Sequence, residues 1–245
     1  MVSPSAFSIV QPKQSFLDKI TIQQNQANPP RTVYFYNYQQ VHRDAVRRIC
    51  CDTAFLGQPI NPIYKDRELF SDLLTKPYLD YEPQWTLVAE SHGQAVGYLM
   101  GSVSPHFQRN LMFCGLKTVA RMLARLLTGK YNHHPRSKKF VRWVLNRGLM
   151  ELPTQPKNAA HLHMNFHSSY RGGLVAKRLW LLFEKMLQEK GVEKYYAQIY
   201  SCSERHPLQI YYRYGFTLFD QKITTMFKPD IPKPLHIICI EKRLT

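Results

Sequence analysis

Two stretches of the chain place reactive residue types at spacings that matter. From His161 to His167 the sequence alternates. Leu162, Met164 and Phe166 fall on one side of an extended segment, and His161, His163, Asn165 and His167 on the other. Imidazole titrates near neutrality, so such a strand face suits proton handling. Alternating histidines also suit a metal, but no Cys or carboxylate cluster accompanies them, and no metal is expected. A few residues on, Arg171-Gly172-Gly173-Leu174-Val175-Ala176 opens a segment with helix spacing at Val175, Leu179, Leu182, Phe183, Met186 and Leu187. Backbone amides at a helix start are unpaired and lie at the positive end of the helix dipole. They make a ready phosphate site, and glycine keeps side chains off it. A plain tight connection uses the same residues, so the turn alone leaves both readings open. It is neither a P-loop, since no G-K-[ST] follows, nor a G-x-G-x-x-G fingerprint. Further on, Tyr211-Tyr212-Arg213-Tyr214-Gly215-Phe216 reads as a helix end capped by glycine.

These residues need elements to hold them. Residues 1–31, with a Gln/Asn/Pro cluster, read as a flexible or peripheral arm. Val33 to Tyr38 reads as a strand, and His42 to Phe55 has helix spacing. Asp66 to Leu74 reads as a short helix stopped before Pro77. Trp85–Glu90 and Ala95–Val103 read as a hairpin around Ser91-His92-Gly93-Gln94. Residues 105–150 look like a basic helical insertion. In it Gly115–Leu127 puts Leu116, Val119, Ala120, Leu123, Leu126 and Leu127 on one face, with Lys117, Arg121 and Arg125 as a basic stripe; Lys138–Leu149 reads as a second helix. After the His161 strand and the helix to Gly191 come a strand at Lys194–Tyr200 and a short helix at Arg205–Tyr214. Strands at Phe216–Thr224 and Leu235–Lys242 complete the chain. The order β-α-α-β-β, insertion, β-α-β-α-β-β predicts one mixed α/β domain over residues 32–245.

Composition narrows the partners. The 245 residues carry 33 Lys+Arg against 17 Asp+Glu, a net charge of +16. No acidic residue lies between Glu90 and Glu151, while ten basic ones do, so the excess sits in the insertion. A surface so positive attracts anions: nucleic acid, phosphorylated cofactors, acidic lipids or acidic proteins. A solvated basic helix pair covering the core is the plainer reading of the same charges. No recognised nucleic-acid motif appears, which makes a non-catalytic nucleic-acid binder the weaker alternative. No apolar run reaches the length of a membrane span, and the N-terminus lacks the pattern of a secretory signal. Five cysteines without a C-x-x-C pair give neither a zinc ribbon nor a disulfide framework, and a reducing cytoplasmic setting is expected.

Taken together, the motifs resemble the Gcn5-related N-acetyltransferase (GNAT) superfamily. There a strand precedes [QR]-x-x-G-x-[GA] at a helix start, followed by a strand, a short helix and Y-x-x-x-G-F. Arg171–Ala176 and Tyr211–Phe216 match, Ala95-Val96-Gly97-Tyr98 looks like the family's VGY strand, and His161–Asn165 is similar to an H-L-H-[IV]-[DN] strand of one bacterial branch. Two positions depart: Leu174 stands where the family has glycine, and Glu204 where many relatives have a cofactor-contacting Asn.

The resemblance implies a central mixed sheet flanked by helices and a CoA-dependent N-acyltransferase. Most simply it transfers acetyl from acetyl-CoA to an amine of a small molecule, peptide or protein. A fatty-acyl variant fed by longer acyl-CoA or an acidic carrier protein is the alternative, with the apolar face of Gly115–Leu127 lining a tunnel. The backbone of Met164, Asn165 and Phe166 would hold the pantetheine arm. The turn amides of Gly172, Gly173, Leu174, Val175, Ala176 and Lys177 would hold the pyrophosphate, with Arg171 at the turn. Tyr211 would be the general acid and His163 the first choice of base, with Glu204 second and Glu151 a distant third. Cys202 is read as a buried thiol rather than a nucleophile.

Overall fold

The computed structural model describes residues 16–22, 30–171, 173–203 and 207–244. Among these are eight strands: β1 (Asp18–Ile22), β2 (Arg31–Asn37), β3 (Thr86–Ser91), β4 (Gln94–Ser102), β5 (Ala160–Phe166), β6 (Lys194–Ser201), β7 (Thr217–Thr224) and β8 (Leu235–Arg243). They form one sheet in the order β1-β2-β3-β4-β5-β6-β8-β7. Every neighbouring pair is antiparallel except β5–β6. The six α-helices among the described residues are α1 (Arg43–Thr53), α2 (Arg67–Leu79), α3 (Phe107–Leu127), α4 (Pro135–Asn146), α5 (Leu174–Glu189) and α6 (Leu208–Arg213).

Strand alternation divides the apolar residues between two cores. Val88, Tyr98 and Met100 face a core built with α1, α2, α3 and α4. Leu87, Ala89, Leu99 and Leu162 face the other, where α5 supplies Val175, Leu179, Phe183 and Leu187. The β3–β4 hairpin turns through His92 and Gly93 at φ +52° and +71°, as a two-residue type I′ connection requires.

Three expectations are corrected. First, β1 lies inside the stretch read as an arm. It pairs along β2, its Ile20 and Ile22 pack on the α5-side core, and Asp18 meets Arg178 of α5. Five residues are too few for a periodicity that sequence reading can find. Second, α2 does not stop before Pro77 but runs to Leu79, because Pro77, Tyr78 and Leu79 are all buried and Asp80 N–H still bonds Lys76 C=O at 3.0 Å. Burial there outweighs the backbone hydrogen bond that proline lacks.

Third, α3 is longer than expected and turned the other way. It packs inward through Phe107, Cys114, Thr118 and Met122, and leaves Leu116, Leu123 and Leu127 exposed. The cause lies on α2. Arg121 bonds Glu68 at 2.7 Å and Asp72 at 2.8 Å; Arg125 bonds Glu68 at 2.9 Å and also Asp66. Asp66 in addition accepts from Leu69 N–H as the α2 N-cap, at 3.4 Å, and from Tyr131 Oη, at 2.8 Å. The guanidiniums of Arg125 and Arg121 hold the Glu68 carboxyl down to about 2. The arginine stripe is therefore the seam between the helices, and the apolar face lines no tunnel. Arg125→Ala should cost about 1–2 kcal/mol, since it strips charged partners from a shared, half-buried network. The check is the urea midpoint, and an unchanged midpoint would mean that the network contributes nothing.

Candidate active site

β5 is held by β4 along one edge as far as Phe166, opposite Gly97. β6 is held by β8 as far as Ser201, opposite His236. Between them the parallel ladder has only three pairs, Ala160↔Tyr195, His161↔Tyr196 and Leu162↔Ala197. Beyond Leu162 and Ala197 the strands part. Among the described residues the facing edges of 163–166 and 198–200 have no strand partner, at the carboxyl end of two parallel strands, a favoured place for a ligand. At the mouth of this gap the side-chain nitrogen Nε2 of Gln198 is buried and has no hydrogen-bond partner among the described residues. A buried donor of this kind calls for a ligand or a water.

β5 feeds α5 through a 3-10 turn at Ser168–Tyr170. Gly173 caps α5 with φ +65° and ψ −135°, a conformation that glycine alone adopts easily. Nothing lies within 4 Å of where its Cβ would be, so backbone shape rather than crowding demands glycine there. Helix geometry leaves the amides of Leu174, Val175 and Ala176 unpaired, while Lys177 N–H is already bonded to Gly173 C=O at 3.3 Å. The set of turn amides is thus narrower than expected. Val175 buries its side chain in the core; Leu174 is exposed, so its bulk points away from the packing. Arg171 donates Nε to Phe166 C=O at 2.9 Å and bonds the carbonyl of Gly57. It braces the end of β5 to the loop after α1. Gly172 lies outside the described residues.

The histidine face of β5 looks onto the core of α1–α4. Asn165 Nδ2 donates to Tyr98 Oη at 2.9 Å and meets His163 Nε2 at 3.0 Å. With the amide donating, Nε2 accepts and the imidazole carries its proton on Nδ1. His161 Nδ1 lies 2.5 Å from Tyr78 Oη, and its ring stacks on Phe107 of α3 at 5.7 Å. Tyr196 Oη donates to Gln155 Oε1 at 2.7 Å, and Gln108 Nε2 donates to both. Burial pushes His163 down to about 4, and burial together with His163 pushes His161 down to about 3. Both rings are neutral at pH 7. His167 turns the chain out of β5, its amide bonded to Val96 C=O at 2.9 Å.

The remaining candidates stand apart. Tyr211 lies on α6 in an aromatic group, 6.1 Å from the Trp180 ring and 5.7 Å from the Phe216 ring. That group packs on the α5-side core, whereas His163 lies against Tyr98 of the other core. Glu204 falls outside the described residues. Glu151 is a structural carboxylate. Burial favours its neutral form, but hydrogen bonds from Thr225 N–H and Oγ1, Trp143 and Thr224 outweigh that and hold it below its usual range. It fastens the insertion to the end of β7 and is no base. Cys202 is half-buried against the core, and burial pushes the thiols of Cys50 and Cys239 up to about 12. Among the described residues no group of His, Cys, Asp and Glu is arranged to hold a metal.

The same sheet occurs in solved proteins. The structure of SsHAT matches with a TM-score of 0.56 at 23% identity, covering 86% of this chain and 98% of that one. An N-acetyltransferase from Staphylococcus aureus Mu50 matches at 0.50 and 13% identity, covering 87% and 99%. The yncA protein of Salmonella typhimurium, solved with its cofactor acetyl-CoA, also matches at 0.50 and 13% identity, covering 87% and 94%. This chain has the GNAT fold. No protein-family model and no curated protein matches its sequence.

Sequence reading named β5, the glycine turn and Tyr211 as candidates and did not name Tyr98, Tyr78, Tyr196, Gln108 or Gln198, which the fold sets beside the β5 histidines or at the strand gap. Their signal is cross-strand register. Tyr98 sits opposite Asn165 and His161 opposite Tyr196, and neither pairing can be seen along one strand. The glycine of the Ala95–Tyr98 stretch also gains a cause, since a Cβ on Gly97 would lie 2.0 Å from the Phe166 ring.

The neutral imidazoles give the protein a pH dependence. As pH falls below about 6.5, the unfolded chain takes up protons that His161 and His163 refuse in the fold. Their stability contribution is complete above that pH and drains away as pH falls through about 4. The melting temperature should decline across that window, and a His161→Gln/His163→Gln chain should show a flatter profile. Parallel profiles would mean that neither ring is held neutral.

Proposed function

We propose that this protein is an N-acyltransferase that moves an acyl group, most simply acetyl, from a coenzyme A thioester to an amine. The observation that carries the reading is the parting of β5 from β6 next to the α5 N-terminus. One gap then offers unpaired strand edges to an amide-rich arm, and three free helix amides to a pyrophosphate. The SsHAT, S. aureus and yncA likenesses support the fold of such enzymes, and yncA carries acetyl-CoA in that fold.

In this reading the backbone of Met164, Asn165 and Phe166 holds the pantetheine arm, and the amides of Leu174, Val175 and Ala176 hold the pyrophosphate. Gly172 and Gly173 keep side chains away, and Arg171 stiffens the turn. The donor is held so that the neutral amine nitrogen attacks the thioester carbonyl carbon. The carbon–sulfur bond breaks, and the leaving thiolate takes the phenolic proton of Tyr211. The proton lost by nitrogen leaves towards His163. That ring is a weak base, with a value of about 4; its Nε2 takes the proton only as the Asn165 amide turns away, and gives it up again readily. Glu204, which lies outside the described residues, is the alternative base. The unpartnered Gln198 Nε2 supports the reading, since a bound substrate carbonyl would satisfy it. A reducing setting suits the five free thiols.

Thermal unfolding with acetyl-, octanoyl- and palmitoyl-CoA tests the donor. Acetyl-CoA at a hundredfold excess over Kd should raise Tm by roughly 5–10 °C. A shift with palmitoyl-CoA alone would favour the fatty-acyl alternative, and no shift with any donor would overturn the reading. Tyr211→Phe keeps the rings packed and should lower kcat about a hundredfold with donor affinity unchanged. Intact turnover would remove Tyr211 as the acid.

A further inference from the structure

α3 is amphipathic twice over. At 100° per residue, Phe107, Cys114, Thr118 and Met122 share the inward side. Met112, Leu116, Ala120, Leu123 and Leu127 share the side opposite. Among these, Leu127 is 77% exposed, Leu116 64% and Met112 62%, and Phe113 beside them is 49% exposed. From Met112 to Leu127 the ridge runs about 22 Å, at 1.5 Å per residue. Just after α4, Leu149 and Met150 are exposed as well, Leu149 more than any residue of the ridge. Exposed large apolar side chains at this density mark a surface that something covers.

The charges around the ridge indicate what covers it. Residues 91–150 contain no carboxylate. The carboxylates that α3 does meet, on α2, are engaged by Arg121 and Arg125 along the inner seam. On the outer side Arg109 falls within the apolar stripe, Lys117 at its margin and Lys130 just beyond its end. None of the three has an ion pair among the described residues. Lys117 lies along the Phe113 ring, with Nζ 4.1 Å from the centroid. That places an apolar ring beneath a cation, the arrangement of a side chain at a lipid–water boundary. On α4, Lys138, Arg142 and Leu145 share one outer face, and Leu145 is exposed.

We propose that α3 docks this protein on an anionic lipid surface, lying in the interface with Met112, Leu116, Leu123 and Leu127 among the acyl chains and Arg109, Lys117 and Lys130 at the headgroups. A convex ridge suits lipid, which closes around it, whereas a protein partner would have to supply a matching groove. No helix among the described residues is long and apolar enough to cross a membrane, so the contact is with one surface. Because Phe107 and Gln108 at the start of α3 reach His161 and Tyr196, docking also holds the site close to the interface.

Co-sedimentation of the full chain with phosphatidylcholine/phosphatidylserine vesicles, and with phosphatidylcholine alone, tests this independently of the transferase reading. The chain should sediment with the mixed vesicles and be released by salt. Leu116→Gln/Leu123→Gln should weaken partitioning at least tenfold at an unchanged melting temperature, since both side chains are exposed. Arg109→Gln/Lys117→Gln should weaken it about fivefold per cation removed. The proposal falls if the full chain ignores mixed vesicles or if the leucine variant partitions as well as the parent. It also falls if sedimentation equilibrium shows a dimer that the leucine variant breaks, which would make the ridge an interface between copies. Binding of an acidic acyl carrier protein, without vesicle binding, overturns it too.

Discussion

β5 and β6 run side by side for three residue pairs and then separate, and most of what is distinctive in this protein depends on that separation. Each strand has another neighbour that keeps it straight, β4 for β5 and β8 for β6, so the pair cannot close again further along. Backbone groups left unpaired inside a sheet are costly unless something bonds them. A ligand in the gap would satisfy those groups, which is why the proposed donor site is placed there. Gln198, first past the last pair, shows the same debt in its side chain.

The two faces of the gap differ in chemistry because strand alternation assigns them to different cores. On the α5 side lie the glycine turn, the free helix amides and the aromatic group around Tyr211. On the other side lie the histidines, set in tyrosine and amide hydrogen bonds. Their lowered basicity follows from burial more than from charge, since no carboxylate bonds either ring. That face meets α3 through Phe107 and Gln108.

The insertion shows how charge can invert an amphipathic helix. Sequence spacing gives α3 a broad apolar face and a basic stripe, and the ordinary expectation buries the first. In the fold the two arginines of that stripe, Arg121 and Arg125, turn to α2, because Asp66, Glu68 and Asp72 stand in line with them. A second, narrower apolar set then fills the core, and Leu116, Leu123 and Leu127 of the broad face are left outside while Leu126 still packs on the core.

The sequence by itself determined the order of elements from β2 onward, the alternation of β5 and the start of α5, because each is a local pattern repeated over a few residues. Gly173 was readable for the same reason, as a turn that needs an unusual backbone is written in its own residue. Tertiary structure alone decided which residues meet across strands, as with Tyr98 and Asn165 or Tyr78 and His161, since register depends on several segments at once. It also decided that Glu151 is a fastening rather than a base and that the broad face of α3 looks outward. A single helix carries its periodicity in the sequence, but which side it buries is set by the neighbour it meets.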